Sequence, residues 1–290
     1  MLSGLPPIAG VRRASVLARG VRFHVTESGT GVPVVVLHGW PQHHYCYRDL
    51  LASPPDGLRI IAPDLPGYGW SGPAPHRWGK QDVADDLLAL LDALGLERVL
   101  LVGHDWGAFI AYLLVLGEPR RFGGLLALNI PHPWNSPRTM LAHTWRLGHM
   151  PLMAAAGRPL VQRTRVLEKL IFRLGVGERG AISSEDIGVY AERFRDPVCA
   201  QVTTDTYRTF LLRDVPAGAR RPERRWATVP IRVLHGGADF AIHPALVSAE
   251  TAIADDYSVQ LLPGCGHFTP EERPDHVRSE LVTLAGQSTI

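Results

Sequence analysis

A chain of 290 residues, 46% of them apolar, is long enough to bury a large core and leaves room for one or two domains. Lys and Arg number 30 against 28 Asp and Glu, a formal charge of +2 that offers no field for nucleic acid or an anionic membrane, so small neutral partners are expected. Cys46, Cys199 and Cys265 are odd in number, far apart and without metal-ligand spacing, and Met1 to Gly10 holds no apolar run behind a basic start. Free thiols and a cytoplasmic location are therefore expected, without a disulfide framework.

Val11 to Glu27 alternates around Arg19-Gly20, which predicts an opening hairpin with Val21, Phe23 and Val25 on one face. Val32 to Leu37 is a β-branched run that stops at His38-Gly39-Trp40-Pro41, a polar, turn-prone tetrapeptide at a strand end. Leu58 to Ala62 reads as a short strand feeding Asp64-Leu65-Pro66-Gly67-Tyr68-Gly69-Trp70-Ser71, whose closely spaced Gly and Pro dictate an irregular loop. Gln81 to Leu94 places Val83, Leu87, Leu90, Leu91 and Leu94 at helical spacing with Gly95 past the end, a surface helix.

Val99-Leu100-Leu101-Val102 is apolar at every position, as a parallel strand covered on both faces requires, and Trp106 to Leu116 continues at helical spacing. Between them stands Gly103-His104-Asp105-Trp106-Gly107. A glycine-flanked residue between a buried strand and a helix is the pattern of a nucleophile elbow, in which the central side chain is held at the top of the sheet. Two roles are open to Asp105: N-cap of the following helix, or nucleophile. As a nucleophile a carboxylate acylates poorly but displaces a leaving group from saturated carbon, forming an ester that water must cleave.

Gly123 to Ile130 is the next strand, and the strand–helix rhythm implies an α/β fold with a mostly parallel central sheet. From Pro131 to about Arg225 no strand pattern is found, only helix-like pieces, so residues 131–225 read as an inserted helical cap on a core of residues 1–130 and 226–290. Alternation resumes at Ile231 to Gly236, with a helix near Pro244 to Ala254, a strand at Ser258 to Leu262 and a closing helix near Asp275 to Ala285. Asp239 and His267 lie just beyond the last two strands. Sites in open α/β sheets lie past the carboxyl ends of the strands, so Asp105, Asp239 and His267 can converge there.

The chain resembles the α/β-hydrolase superfamily over nearly its whole length, with nucleophile, acid and histidine in that fold's order. More narrowly it resembles the branch of epoxide hydrolases and haloalkane dehalogenases, through His38-Gly39-Trp40-Pro41, the Asp64 to Ser71 loop and the Asp105 pentapeptide. The resemblance implies that Asp105 is the nucleophile, Asp239 the acid that orients the base, and His267 the base that activates water. It also implies an oxyanion hole from the backbone N–H groups of Trp40 and Trp106, and a cis Trp40-Pro41 bond. No cofactor or metal is implied. The substrates would be a small apolar epoxide and water, acted on by a monomer or homodimer.

Ring opening of an epoxide releases an alkoxide and needs cap residues that donate to the ring oxygen, usually two tyrosines in this branch. Asp205-Thr206-Tyr207-Arg208 resembles the segment of one of them, which points to Tyr207. Where the other would stand, Leu141 to Met150 holds no tyrosine. His143 is the residue that aligns there, with His149 as the fallback. Dehalogenation would instead need indole N–H donors around a halide: Trp106 suits both chemistries, and the second indole would have to be Trp145. Fluoroacetate-type dehalogenation expects arginine where Trp106 stands. A non-catalytic binding member of the fold should have lost one of Asp105, Asp239 or His267, and all three are present. Trp40, Trp106, Trp145 and Tyr207 are expected to wall an apolar substrate tunnel.

Overall fold

The computed structural model describes residues 4–76, 79–133, 144–219, 226–247, 253–288 and 290. Its centre is an eight-stranded sheet in the order β1-β2-β4-β3-β5-β6-β7-β8. The strands are β1 Arg12–Ala18, β2 Val21–Gly29, β3 Val32–Leu37, β4 Leu58–Pro63, β5 Val99–His104, β6 Phe122–Leu128, β7 Ile231–Gly236 and β8 Tyr257–Leu262. The β1–β2 and β2–β4 pairs are antiparallel, and every later pair is parallel.

Strand composition explains strand position. Every residue of β5, β6 and β7 is buried, as apolar runs in the middle of a covered parallel sheet must be. By contrast β8, at one edge, and β1, at the other, are largely exposed. The hairpin between β1 and β2 turns through Arg19 and Gly20, both at positive φ, which matches the right-handed twist of the strands it joins. Val21, Phe23 and Val25 are buried together.

Among the described residues the longer helices are α1 Lys80–Ala93, α2 Trp106–Gly117, α3 His149–Arg163, α4 Ser184–Arg193, α5 Pro197–Thr209 and α6 Pro274–Gln287. Helix α2 is apolar nearly all round and packs between α1 and the β5–β6 pair, while α6 covers β6 and β7. No strand lies between β6 and β7 among the described residues. That stretch is helical, with α3 packed along α5. Helix α5 begins on an Asp196 cap that accepts from Val198 and Cys199 N–H, with Pro197 in the first turn.

One buried network ties α4 to the first part of the chain: the Glu271 carboxylate receives the Tyr190 hydroxyl, the Arg48 guanidinium and Gln42 Nε2, the last at 3.1 Å. The three cysteines are free and buried. Of the helix expected near Pro244 to Ala254, the described residues show an opening 3₁₀ turn, Pro244–Leu246, and residues 248–252 lie outside the described part.

The sheet order decides where a site can form. Strand β3 pairs with β4 on one side and β5 on the other, so the chains leaving β3 and β5 part at their carboxyl ends. A crevice opens at such a switch point.

Candidate active site

Asp105 follows β5 directly, with φ of 49° and ψ of −122°, a left-handed conformation that costs a non-glycine residue on the order of 1–3 kcal/mol. The neighbouring glycines are required by contact. A Cβ on Gly103 would stand 2.5 Å from the Ala108 backbone, one on Gly107 would stand 2.4 Å from the carbonyls of Leu37 and His38, and one on Gly39 would meet Asp105 itself at 2.4 Å. The carboxylate makes no N-cap hydrogen bond to α2. Instead the Trp40 N–H donates to its Oδ2 at 2.9 Å, and the nearby Trp106 N–H helps to stabilise its charged form. The Trp40–Pro41 bond is cis.

His267 stands between two carboxylates. Its Nδ1 is 2.9 Å from Asp239 Oδ2 and its Nε2 is 3.9 Å from Asp105 Oδ1. Asp239 is over-determined: its Oδ1 accepts from the N–H groups of Ala241 and Ile242 at 2.8 and 3.0 Å, and its Oδ2 also receives Asn129 Nδ2 at 2.9 Å. The His267 backbone is fixed as firmly. Its N–H donates to Gly175 O at 2.6 Å, and its carbonyl accepts from His104 Nε2 at 2.7 Å. Glu272 grips the residues on either side, taking the N–H groups of Gly266 and Phe268 at 3.0 and 3.1 Å, and of Gly177 at 2.8 Å.

These surroundings separate the three titrations. Burial pushes the Asp105 carboxyl up to about 6, against the pull of His267 and the two N–H donors. For His267, burial opposes the charged ring but is outweighed by the carboxylates of Asp239 and Asp105, which raise it to about 9. Asp239 is buried as well, yet His267 and the N–H donors hold it down to about 2. The resting pair is thus imidazolium beside carboxylate.

Around Asp105 the rings of Trp40, Trp106 and Tyr207 form one aromatic cluster. The buried Tyr207 ring lies edge-on to Trp40 at 5.5 Å and to Trp106 at 5.6 Å between centroids. His149 packs edge-on against Tyr207 at 5.7 Å. Two expectations fare differently. Trp145 is not part of this cluster: its side chain, on the 3₁₀ turn Thr144–Gly148, is 65% exposed and lies against the Arg146 guanidinium. His143 lies outside the described residues.

Two residues that hold the Asp239–His267 pair, Asn129 and Glu272, were not read from the sequence. Asn129 follows β6 at a strand end, which is a usable signal, and its φ of 52° marks it further. Glu272 binds the N–H groups of Gly266 and Phe268 close by in sequence and of Gly177 far from it, and follows no recognisable motif. His24, His44 and Asp64 form the one metal-like trio among the described residues, with donor atoms within 4.8 Å. Asp64 is already engaged there by the His44 N–H, His44 Nδ1 and the Trp70 N–H at 2.8, 2.9 and 2.9 Å. Its role is to anchor the loop after β4.

The family profile described as alpha/beta hydrolase fold matches residues 32–274. The chain is similar to the soluble epoxide hydrolase of Corynebacterium sp. (strain C12), 28% identical over 277 residues that make up 90% of this chain and 92% of that relative. It is similar to human epoxide hydrolase 4, 27% identical over 285 residues, 93% of this chain and 77% of the relative. An epoxide hydrolase structure from Vigna radiata, 22% identical, superposes with a TM-score of 0.81 over 98% of this chain and 100% of its own, a likeness of fold. Because the profile match runs from the first residue of β3 to the first residue of α6, over a sheet that switches direction of growth beside the elbow, the chain belongs to the alpha/beta hydrolase fold family.

Proposed function

We propose that the protein is an epoxide hydrolase that opens its substrate on Asp105. The observation that carries the reading is the carboxylate at the elbow, held by the Trp40 N–H and 3.9 Å from a histidine paired with a second aspartate. The names of the two relatives point the same way. In this reading residues 131–225 form a lid over a core of residues 1–130 and 226–290. The three buried free cysteines suit a reducing compartment such as the cytoplasm. No helix among the described residues is long and apolar enough to cross a membrane.

The two oxygens of Asp105 have different work. Oδ2 is bound by the Trp40 N–H, whereas Oδ1 faces His267 beyond hydrogen-bond range and is free to attack. Oδ1 forms a bond to an epoxide carbon, the ring C–O bond breaks, and the departing oxygen takes the proton of the Tyr207 hydroxyl. Burial keeps that hydroxyl protonated at neutral pH. With the Asp105 charge gone, the His267 imidazolium releases its Nε2 proton to solvent, and the neutral Nε2 then removes a proton from water as its oxygen adds to the ester carbonyl. Charge collects on Oδ2, where the Trp40 N–H contributes about 3 kcal/mol. Collapse releases the diol, which takes the proton from His267, and the proton left on the new carboxyl restores Tyr207. Asp239 holds the ring in the tautomer this requires. No electrons leave the reactants, so the chemistry needs no cofactor.

His149 is the described candidate for a second polar group beside Tyr207. Its Nδ1 lies 3.2 Å from Arg146 O, an acceptor, so Nδ1 carries the hydrogen. Burial keeps the ring neutral, so Nε2 is an acceptor. Tyr207 is therefore the donor in this reading, with His143 proposed as its companion on sequence grounds alone. Dehalogenation loses its second indole with the exposure of Trp145.

The test is the intact mass of His267→Ala after exposure to an epoxide or a haloalkane. Adduct mass equal to the whole epoxide supports the reading. An alkyl adduct lacking halogen assigns dehalogenation instead, and no adduct with either overturns covalent catalysis by Asp105.

A further inference from the structure

Lys80, the first residue of α1, is 1% exposed. A buried ammonium is costly unless its charge is met. Here its Nζ donates to the Thr206 carbonyl at 2.8 Å, lies 4.5 Å from the centre of the Trp106 ring, and pairs with Asp214 at 3.7 Å. Asp214 also accepts the Lys80 backbone N–H at 3.2 and 3.3 Å. It lies so close that a Cβ on Gly79 would stand 2.5 Å from its Oδ1.

Two further side chains meet α5 beside the carbonyl that Lys80 holds. Trp40 Nε1 donates to Thr203 Oγ1 at 3.0 Å, and the Tyr68 hydroxyl is 2.7 Å from Thr206 Oγ1. Residues 203, 206, 207 and 210 recur at the three- and four-residue spacing of one helix face. Three side chains from outside the helical insertion thus grip α5 immediately beside Tyr207. Directly after it the helix widens into a π turn, Phe210–Asp214, whose far end is the carboxylate that returns to Lys80. Such turns recur at functional sites. Packing alone would be served at this position by methionine or leucine. The ammonium adds a brace that spans the π turn and rests on the indole of Trp106.

We propose that Lys80 is a positioning residue that holds Tyr207 over Asp105 by gripping the Thr206 carbonyl and Asp214. The claim about catalysis rests on the epoxide hydrolase reading, whereas the claim about α5 does not.

The experiment compares wild type, Lys80→Met and Asp214→Asn. Backbone hydrogen exchange without substrate reports on residues 203–214, and single-turnover rates with an epoxide separate ester formation from ester hydrolysis. In Lys80→Met we expect exchange across 203–214 to quicken about tenfold or more while β5 and β6 are unchanged. Ester formation should fall about tenfold or more, and ester hydrolysis, which does not use Tyr207, should stay within about threefold. Asp214→Asn keeps the ammonium and should loosen the same segment less. It also carries the test if Lys80→Met does not fold. Unchanged exchange overturns the positioning role, as does an equal fall in both half-reactions or faster exchange with ester formation intact. If the wild type opens no epoxide, the functional reading fails, and exchange alone still decides whether Lys80 holds α5.

Discussion

The Nε2 atom of His267 stands 3.9 Å from Oδ1 of Asp105, too far for a hydrogen bond and close enough for each charge to support the other. In the proposed reaction ester formation would cancel the Asp105 charge and so remove part of what keeps His267 protonated, freeing the base just before the step that needs it. Ester formation requires ionised Asp105, so its rate should rise with pH through about 6. Ester hydrolysis requires neutral His267 and should rise with a midpoint below the free enzyme's, which lies at about 9. Single-turnover kinetics across pH, with the free imidazole followed by NMR, checks both. A hydrolysis midpoint at or above the free-enzyme value would sink the coupling.

Asn129 donates to Asp239 Oδ2 at 2.9 Å and to Gly266 O at 3.0 Å, bridging the acid to the loop of the base. Its removal leaves the shared oxygen short of a charge-assisted hydrogen bond worth roughly 1.5–3 kcal/mol. We expect Asn129→Gly, which relieves the positive φ, to lower kcat about 10- to 100-fold with the fold retained. Activity within about twofold of wild type would show that Ala241 and Ile242 suffice to aim Asp239.

Tyr207→Phe keeps the ring against Trp40 and Trp106 and removes the hydroxyl. Ester formation from an epoxide should slow by about 10²- to 10⁴-fold, the span of general acid catalysis, with hydrolysis of the ester little changed. His149→Phe should have a smaller effect, since its Nε2 is an acceptor. A larger loss in His149→Phe than in Tyr207→Phe would reverse the two roles.

Glu272 collects three backbone N–H groups around His267. Its amide variant keeps the shape but can satisfy fewer of those donors. Glu272→Gln should therefore weaken ester hydrolysis by about tenfold and lower the thermal midpoint by several degrees, with ester formation affected less. An unchanged ratio of the two half-reactions would assign Glu272 to stability alone.

Trp145 lies on Arg146 and is 65% exposed. Trp145→Ala should leave kcat/KM within about twofold, whereas Trp106→Ala should abolish most of it through lost packing at the elbow. A comparable loss at both positions would return Trp145 to the tunnel wall.

Local pattern was enough for most of the sheet. An apolar run such as Val99 to Val102 can be stable only between two covered faces, and glycines at 103 and 107 are demanded by atoms of neighbouring strands and turns, so β5, the elbow and α2 could be read from a dozen residues. The strand ends that carry Asp239 and His267 were legible for the same reason. Side-chain aim in the helical stretch between β6 and β7 was not. Which way Trp145 faces depends on a 3₁₀ turn too short to leave a periodic signature, and whether His149 donates depends on one carbonyl three residues earlier. Asn129 and Lys80 bind partners far along the chain, Lys80 a carbonyl 126 residues away, and Glu272 joins Gly177 to its own near neighbours Gly266 and Phe268. Sequence alone specifies the elements and the reactive groups because these follow from local sterics and from which faces must be buried. Only the tertiary structure decides how those groups are aimed, because aim is set by contacts between segments that no local pattern records.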